Sequence, residues 1–258
     1  MAKYEFKTEP YMHQREALMA WDRLYFAWFM EMATGKTKVA IDNTCILYMQ
    51  KKINGMVILA PKGLYLTWLK QIEIHKPAQY QEQSQIGVWR ANPSGKIMKR
   101  IQYARISEGL GILLMNTEAV NSKSAREVLK KFMNDRECII HIDESTKIKN
   151  VDAKRTQNII ELGKFAKYKR ILTGSPVVNN PMDLFGQSQF LKEGLISKTK
   201  PGFRNQFCVT RNLEVTRKND GRRFTIPTIV GTKNIDRLQE HVEEWSYRAR
   251  KKDCLDLP

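Results

Sequence analysis

Four cysteines in 258 residues, Cys45, Cys138, Cys208 and Cys254, are too few and too far apart for a disulfide framework or a thiolate zinc site. Two of them fall within apolar patterns that read as buried, which fits reduced thiols. His13, His75, His141 and His241 are equally scattered, so the sequence offers no transition-metal cluster. No apolar run approaches the ~20 residues of a membrane span, and the N-terminus lacks the apolar core and small-residue cleavage site of a secretory leader. The expectation is a soluble, intracellular, cytoplasmic protein with no membrane partner. Acidic residues are also scarce, 27 against 44 Lys and Arg, for a formal net charge of +17. Such a surplus raises the local concentration of polyanions whatever the fold and makes nucleic acid the leading partner. Internal repeats and low-complexity tracts are absent too.

Against these absences stands a regular alternation of short apolar runs and amphipathic stretches. Tyr25 to Met30, Met56 to Ala60, Leu110 to Met115, Cys138 to Ile142 and Tyr168 to Leu172 read as strands, with Gln85 to Arg90 a further candidate. Helices are expected near Tyr11 to Trp21, Lys36 to Gln50, Leu64 to His75, Lys96 to Ser107, Ser124 to Asn134 and Pro181 to Leu191. The strands are too apolar to leave one face in water. The pattern therefore implies an α/β fold, a mostly parallel sheet with helices on both faces. After Leu195 the alternation stops and glycines, prolines and basic residues cluster. Arg211 to Arg217 and Arg222 to Val230 predict two strands joined at the turn signal Asn219-Asp220-Gly221, and Asn234 to Tyr247 a closing helix. The expected organisation is one lobe over 1–195 and a basic hairpin and helical extension over 196–258.

Chemistry-bearing residues fall just after the apolar runs, where ligands gather in α/β sheets. Met30 to Thr37 lies between a strand and a helix, the setting of a phosphate-binding loop. There the amides of Met32, Ala33, Thr34 and Gly35 and the positive end of the helix dipole would face an anion. Lys36 would add a charge against the phosphates, and Thr37 a hydroxyl for magnesium. The G-x-x-x-x-G-K-[ST] pattern fails at its first position, Met30. Gly35-Lys36-Thr37 alone arises by chance on the order of once in ten chains of this length. A second constellation supports it: Asp143-Glu144 closes another strand, where one carboxylate, Asp143, would hold Mg²⁺ and its neighbour, Glu144, would orient the attacking water. The plain alternative is that this pair caps the following helix. Thr173-Gly174-Ser175 follows a third strand.

With these residues in place the chain resembles the first RecA-like lobe of a superfamily-two helicase, most of all the sucrose-non-fermenting (Snf) family of DNA translocases and remodellers. Tyr11 to Gln14 resembles the adenine-reading glutamine motif, and Glu31 to Thr37 the family's phosphate loop, where other members also lack the first glycine. Leu59 through Trp68, with Lys62 in its turn, resembles a segment that touches the DNA backbone, and Asn116-Thr117-Glu118 fits the next such motif. Asp143 to Asn150 fits the acidic motif with its Lys149-Asn150 tail. Leu172 to Pro176 with Asn179-Asn180 fits the motif in which Thr173, Gly174 and Ser175 couple hydrolysis to lobe movement. Lys252-Asp253 through Leu257-Pro258 resembles the stretch before a second lobe. The resemblance implies ATP and Mg²⁺ as cofactors and double-stranded DNA as partner. Lys62, Thr117, Lys149, Asn150 and the hairpin residues Arg222 and Arg223 are expected on the DNA face.

Departures from the pattern set further expectations. Ser145-Thr146 stand where most relatives have Ala-His. Lys62 replaces an apolar residue and adds a phosphate contact. A second RecA-like lobe, where the family keeps its arginine fingers, is expected from further chain or a partner, and without it the ATPase is expected to be nearly inactive. Two other readings fit the composition: a nucleic-acid-binding module with a vestigial nucleotide site, and an RNA helicase lobe. Intact Lys36, Asp143 and Glu144 favour the motor over the first. The basic segment after Leu195 resembles the translocase branch and counts against the second.

Overall fold

The structure, a computed structural model, describes residues 4–80, 83–216 and 223–254. Nine strands are present among them: β1 Tyr25–Met30, β2 Gly55–Ala60, β3 Ser84–Val88, β4 Leu110–Asn116, β5 Cys138–Asp143, β6 Tyr168–Leu172, β7 Cys208–Thr216, β8 Arg223–Thr232 and β9 Ser246–Ala249. Seven form one sheet in the order β3-β4-β2-β5-β6-β1-β9. All six neighbouring pairs run parallel. The helices are α1 Met12–Leu18, α2 Lys36–Met49, α3 Thr67–His75, α4 Gly95–Ile106, α5 Lys123–Asp135, α6 Lys154–Gly163, α7 Asp183–Leu191, α8 Lys200–Phe207, α9 Ile235–Glu243 and the single turn α10 Lys251–Cys254.

Side-chain alternation along each strand divides the core in two, one layer on each face of the sheet. Phe26, Trp28, Met56, Ile58, Ile112 and Leu114 pack under α1, α2 and α3. Ala27, Phe29, Val57, Leu59, Leu113 and Ile140 pack with Leu129, Phe132, Ile159 and Phe190 from α5, α6 and α7. Every strand residue from Met56 to Ala60 and from Ile139 to Ile142 is buried, as a sheet covered on both faces requires.

The chain departs from the sequence-based expectation in three places. The closing helix α9 stops at Glu243, and Ser246 and Tyr247, expected to be helical, belong to β9, which pairs with β1 from Ala27↔Ser246 to Met30↔Ala249. Buried Trp245 fixes this reversal: its carbonyl accepts from the Ala27 N–H at 2.9 Å, and its ring meets Phe29 edge-on with centroids 6.0 Å apart. Helix α8 forms where Pro201 and Gly202 read as breakers. Thr199 accepts from the Gly202 N–H at 3.1 Å and Pro201 lies in the first turn, the one helical place where proline costs nothing. Helix α6 is the third, because its short apolar stripe of Ile159 and Leu162 is masked in the sequence by polar neighbours.

At the amino end of the sheet one cation closes several loops. Arg136, 5% exposed, donates from Nε to the Arg105 carbonyl at 2.7 Å and from Nη1 to those of Asn54 and Gly109 at 2.7 and 2.8 Å. Its Nη2 donates to the Ser107 carbonyl. The hairpin β7/β8 forms a separate two-stranded sheet, antiparallel, with Leu213 opposite Ile226. Its expected turn residues, Arg217 and Arg222 lie outside the described residues, as do Leu255 to Pro258 of the last motif.

Candidate nucleotide-binding site

Met30, the failed position of the loop pattern, is the last residue of β1, wholly buried and paired with Ala249 of β9. Glycine is not needed at a position that is still extended strand. The loop proper turns at two left-handed residues, Ala33 (φ 70°) and Gly35 (φ 82°), and delivers Lys36 and Thr37 as the first two residues of α2. Gly35 is required for space as well as for its dihedral, because a Cβ there would lie 2.2 Å from Gln14 Nε2. The Thr34 hydroxyl closes the turn on the Glu31 carbonyl at 2.8 Å.

Helix α1 braces this loop from behind. Gln14, 3% exposed, donates from Nε2 to the Thr34 carbonyl at 3.1 Å and accepts from the Tyr11 N–H at 3.1 Å, while His13 Nε2 lies 2.8 Å from the same carbonyl. The Gln14 amide, expected from the resemblance to read adenine, is thus engaged within the protein. The exposed group beside it is the Tyr11 ring, 65% exposed and stacked on His13.

Neighbouring strands bring up the acids. Asp143 ends β5 and is buried. Its Oδ2 accepts from the Trp68 indole N–H at 2.9 Å and its Oδ1 from the Glu144 N–H at 3.0 Å. Burial raises its pKa, and the Trp68 bond and the Lys36 charge pull the other way. Trp68 has no sequence signal for this role, which joins α3 to a residue 75 positions later. Glu144 sits in left-handed backbone (φ 50°), uncommon for a side-chain-bearing residue and here the means of turning its carboxylate toward Lys36. Glu144 Oε1 lies 3.8 Å from Lys36 Nζ, and its Oε2 accepts from the Thr173 hydroxyl at 3.4 Å. Thr173 Oγ1 in turn accepts from the Ser175 N–H at 3.3 Å. Gly174 lets the two loops touch: a Cβ there would come 3.2 Å from the Glu31 Cα. Lys36, Asp143, Glu144 and Thr173 therefore come together from the loops at 36, 143 and 173. Among the described residues no group of three or more acidic, His or Cys side chains could hold a metal alone.

The expected nucleic-acid residues fare unevenly. Lys62, exposed, follows β2; Thr117 follows the adjacent β4; Lys149 and Asn150 follow β5. Thr117 is wholly buried with no partner for its hydroxyl among the described residues, so it presents no side chain to a ligand here. Lys149 is paired with Asp183 at 3.3 Å and remains partly exposed. A groove of about 300 Å³ runs from Lys149 and Asn150 past Lys200 and Arg204 to Pro227 and Ile229 of β8, which joins the hairpin to this region. Arg223 opens β8 and is exposed.

A phosphate-type loop after β1, an acidic pair after β5 and a Thr-Gly-Ser turn after β6 lie together at the carboxyl end of a parallel sheet in this order, the arrangement of a RecA-like α/β lobe. The chain belongs to the SNF2-related domain family, whose model matches residues 28–258. It is 28% identical over 166 residues to the DNA annealing helicase and endonuclease ZRANB3 of Bos taurus, covering 62% of this chain and 14% of that protein. It is 22% identical over 268 residues to Protein CHROMATIN REMODELING 24 of Arabidopsis thaliana, covering 96% of this chain and 23% of that protein. Its fold is similar to the Sulfolobus solfataricus SWI2/SNF2 ATPase core in complex with dsDNA, with a TM-score of 0.70 and 20% identity over all of this chain and 48% of that one. The chain thus spans about a quarter or less of these curated relatives. No helix among the described residues is long and apolar enough to cross a membrane.

Proposed function

We propose that this chain is the ATP-binding lobe of an ATP-dependent motor that moves on double-stranded DNA in the cell interior. The observation that carries the reading is the convergence of Lys36, Glu144 and Thr173 at the mouth of the loop, with the lysine cation 3.8 Å from a carboxylate and so not tightly bonded to it.

The residues present fit a magnesium nucleotide. Met32 to Gly35 turn their backbone toward the start of the 14-residue helix α2, whose first amides and dipole favour an anion. Lys36 neutralises phosphate charge, Thr37 and Asp143 hold the metal, and Gln14 keeps the loop in shape from behind. Magnesium, when bound, supplies charge neutralisation across the phosphates. Glu144 positions a water and accepts its proton, an assignment helped by its being less buried than Asp143. Thr173, Gly174 and Ser175 link that carboxylate to the loop that follows. Lys62, Lys149, Asn150 and Arg223, with Arg222 beside it in sequence, contact duplex phosphates. A second RecA-like lobe completes the site with cationic stabilisation of the transition state, worth roughly 10³ to 10⁵ in turnover where arginine fingers have been measured.

Calorimetric titration with ATP and Mg²⁺ tests the site, and phosphate release on duplex DNA with a second lobe supplied tests the motor. Binding without any DNA-stimulated turnover in the two-lobe protein would favour the vestigial-site reading.

A further inference from the structure

One polar pair in the core bridges the acidic turn and the loop that follows β6. Ser145 and Gln187 are both wholly buried, and the Ser145 hydroxyl donates to Gln187 Oε1 at 2.6 Å. The Gln187 nitrogen donates to the carbonyls of Pro176 at 2.8 Å and Asp183 at 2.7 Å. Those two partners can only accept, so the amide has one permitted orientation, and its oxygen needs the serine hydroxyl. We propose that Gln187 is a positioning residue which, through Ser145, transmits the state of Glu144 to the loop of residues 176–180. This rests on the nucleotide reading above.

The geometry around the pair supports transmission. Gly186 lets α7 press against the acidic turn, since a Cβ there would lie 2.3 Å from the Ile148 carbonyl oxygen and 2.6 Å from that of Lys149. Asp183 Oδ2 accepts from the N–H groups of Val178 at 2.9 Å and Asn179 at 2.8 Å, and its carboxylate pairs with Lys149 at 3.3 Å. The start of α7 is therefore fixed to the acidic turn on one side and to the 176–180 loop on the other. Upstream, Glu144 shares Lys36 with any incoming phosphate. When a phosphate draws Lys36 away, Glu144 loses its counter-charge, and its left-handed backbone directly precedes Ser145. Displacement of that turn reaches the Pro176 carbonyl through one side chain. Proline has no N–H, so this carbonyl is its only main-chain hydrogen-bonding group.

Amide exchange over residues 176–182, measured with and without a non-hydrolysable ATP analogue and Mg²⁺, reads the effect. In the wild-type chain the nucleotide changes exchange at Val178 and Asn179 by about threefold or more, as expected for a local opening equilibrium that it biases. Ser145→Ala and Gln187→Leu abolish that response while the chain still binds the analogue. The double variant separates transmission from packing: without the Ser145 hydroxyl left unpaired by Gln187→Leu, it is at least as thermally stable as that single variant, but the response stays absent. A wild-type chain that binds the analogue with no change in exchange, or variants that keep the full response, overturns the proposal alone. A wild-type chain that does not bind overturns the nucleotide reading and this proposal together.

Discussion

Lys36 and Arg136 are cations at opposite ends of the same sheet, and they are treated in opposite ways. Arg136, at the amino end, is fitted with carbonyls from four residues. Lys36, at the carboxyl end, lies 3.8 Å from Glu144, a separation too long for a strong hydrogen bond. A cation whose donors are all engaged is part of the scaffold. One held near its counter-charge but not against it is available to a ligand.

Five substitutions test this contrast. The largest effect is expected at Glu144. With a second lobe supplied, Glu144→Gln keeps the side-chain volume but removes the proposed proton acceptor, and is expected to lower steady-state phosphate release on duplex DNA by about 10²- to 10⁴-fold. Rapid turnover by the variant would place the catalytic base elsewhere. At the other end Arg136→Ala leaves several buried carbonyls unpaired and lowers unfolding free energy by about 3 kcal/mol in urea titrations, with nucleotide affinity of the folded fraction unchanged. Third, Lys36→Ala weakens ATP binding roughly tenfold or more with little change in urea midpoint, the reverse of Arg136→Ala. If both variants lost stability alike, the division between scaffold and site would collapse.

The fourth concerns His75, whose Nδ1 lies 2.7 Å from the Thr8 hydroxyl and whose Nε2 lies 3.2 Å from Gln71 Oε1. Burial, aided by the charges of Lys38 and Lys7, lowers its pKa from 6.5 to about 4. The unfolded chain therefore takes up a proton that the folded chain refuses, and stability falls as pH drops from about 6.5 toward about 4. His75→Gln should flatten that slope in urea midpoints measured across the range. The smallest effect is expected at the hairpin. Arg223→Glu should weaken duplex binding slightly and make it less sensitive to salt, by about 0.9 log unit per tenfold salt for each phosphate no longer neutralised.

Strand positions were legible because a two-sided parallel sheet demands continuous apolar runs; Tyr25 to Met30 and Tyr168 to Leu172 match the structure residue for residue. Elsewhere periodicity failed where the interaction that decides the local structure is distant, in strand β9 as in the helices. Nothing in Ser246 to Ala249 distinguishes a strand from the end of a helix until β1 offers an open edge beside it. The site divided in the same way. Gly35-Lys36-Thr37 and Asp143-Glu144 carry their chemistry in adjacent residues, so local spacing exposes them. Trp68 to Asp143 and Ser145 to Gln187 join residues 75 and 42 positions apart, which no window along the chain can connect.

The sequence by itself determined that the chain is basic, that its core is a covered parallel sheet, and that phosphate-type and acidic motifs sit at strand ends, because composition and short-range periodicity are written in consecutive residues. The tertiary structure alone decided that Gln14 braces the loop and Thr117 is sealed in the interior. It also decided that Arg136 is saturated while Lys36 is left poised, because whether a polar group is satisfied depends on which distant strands and loops come to surround it.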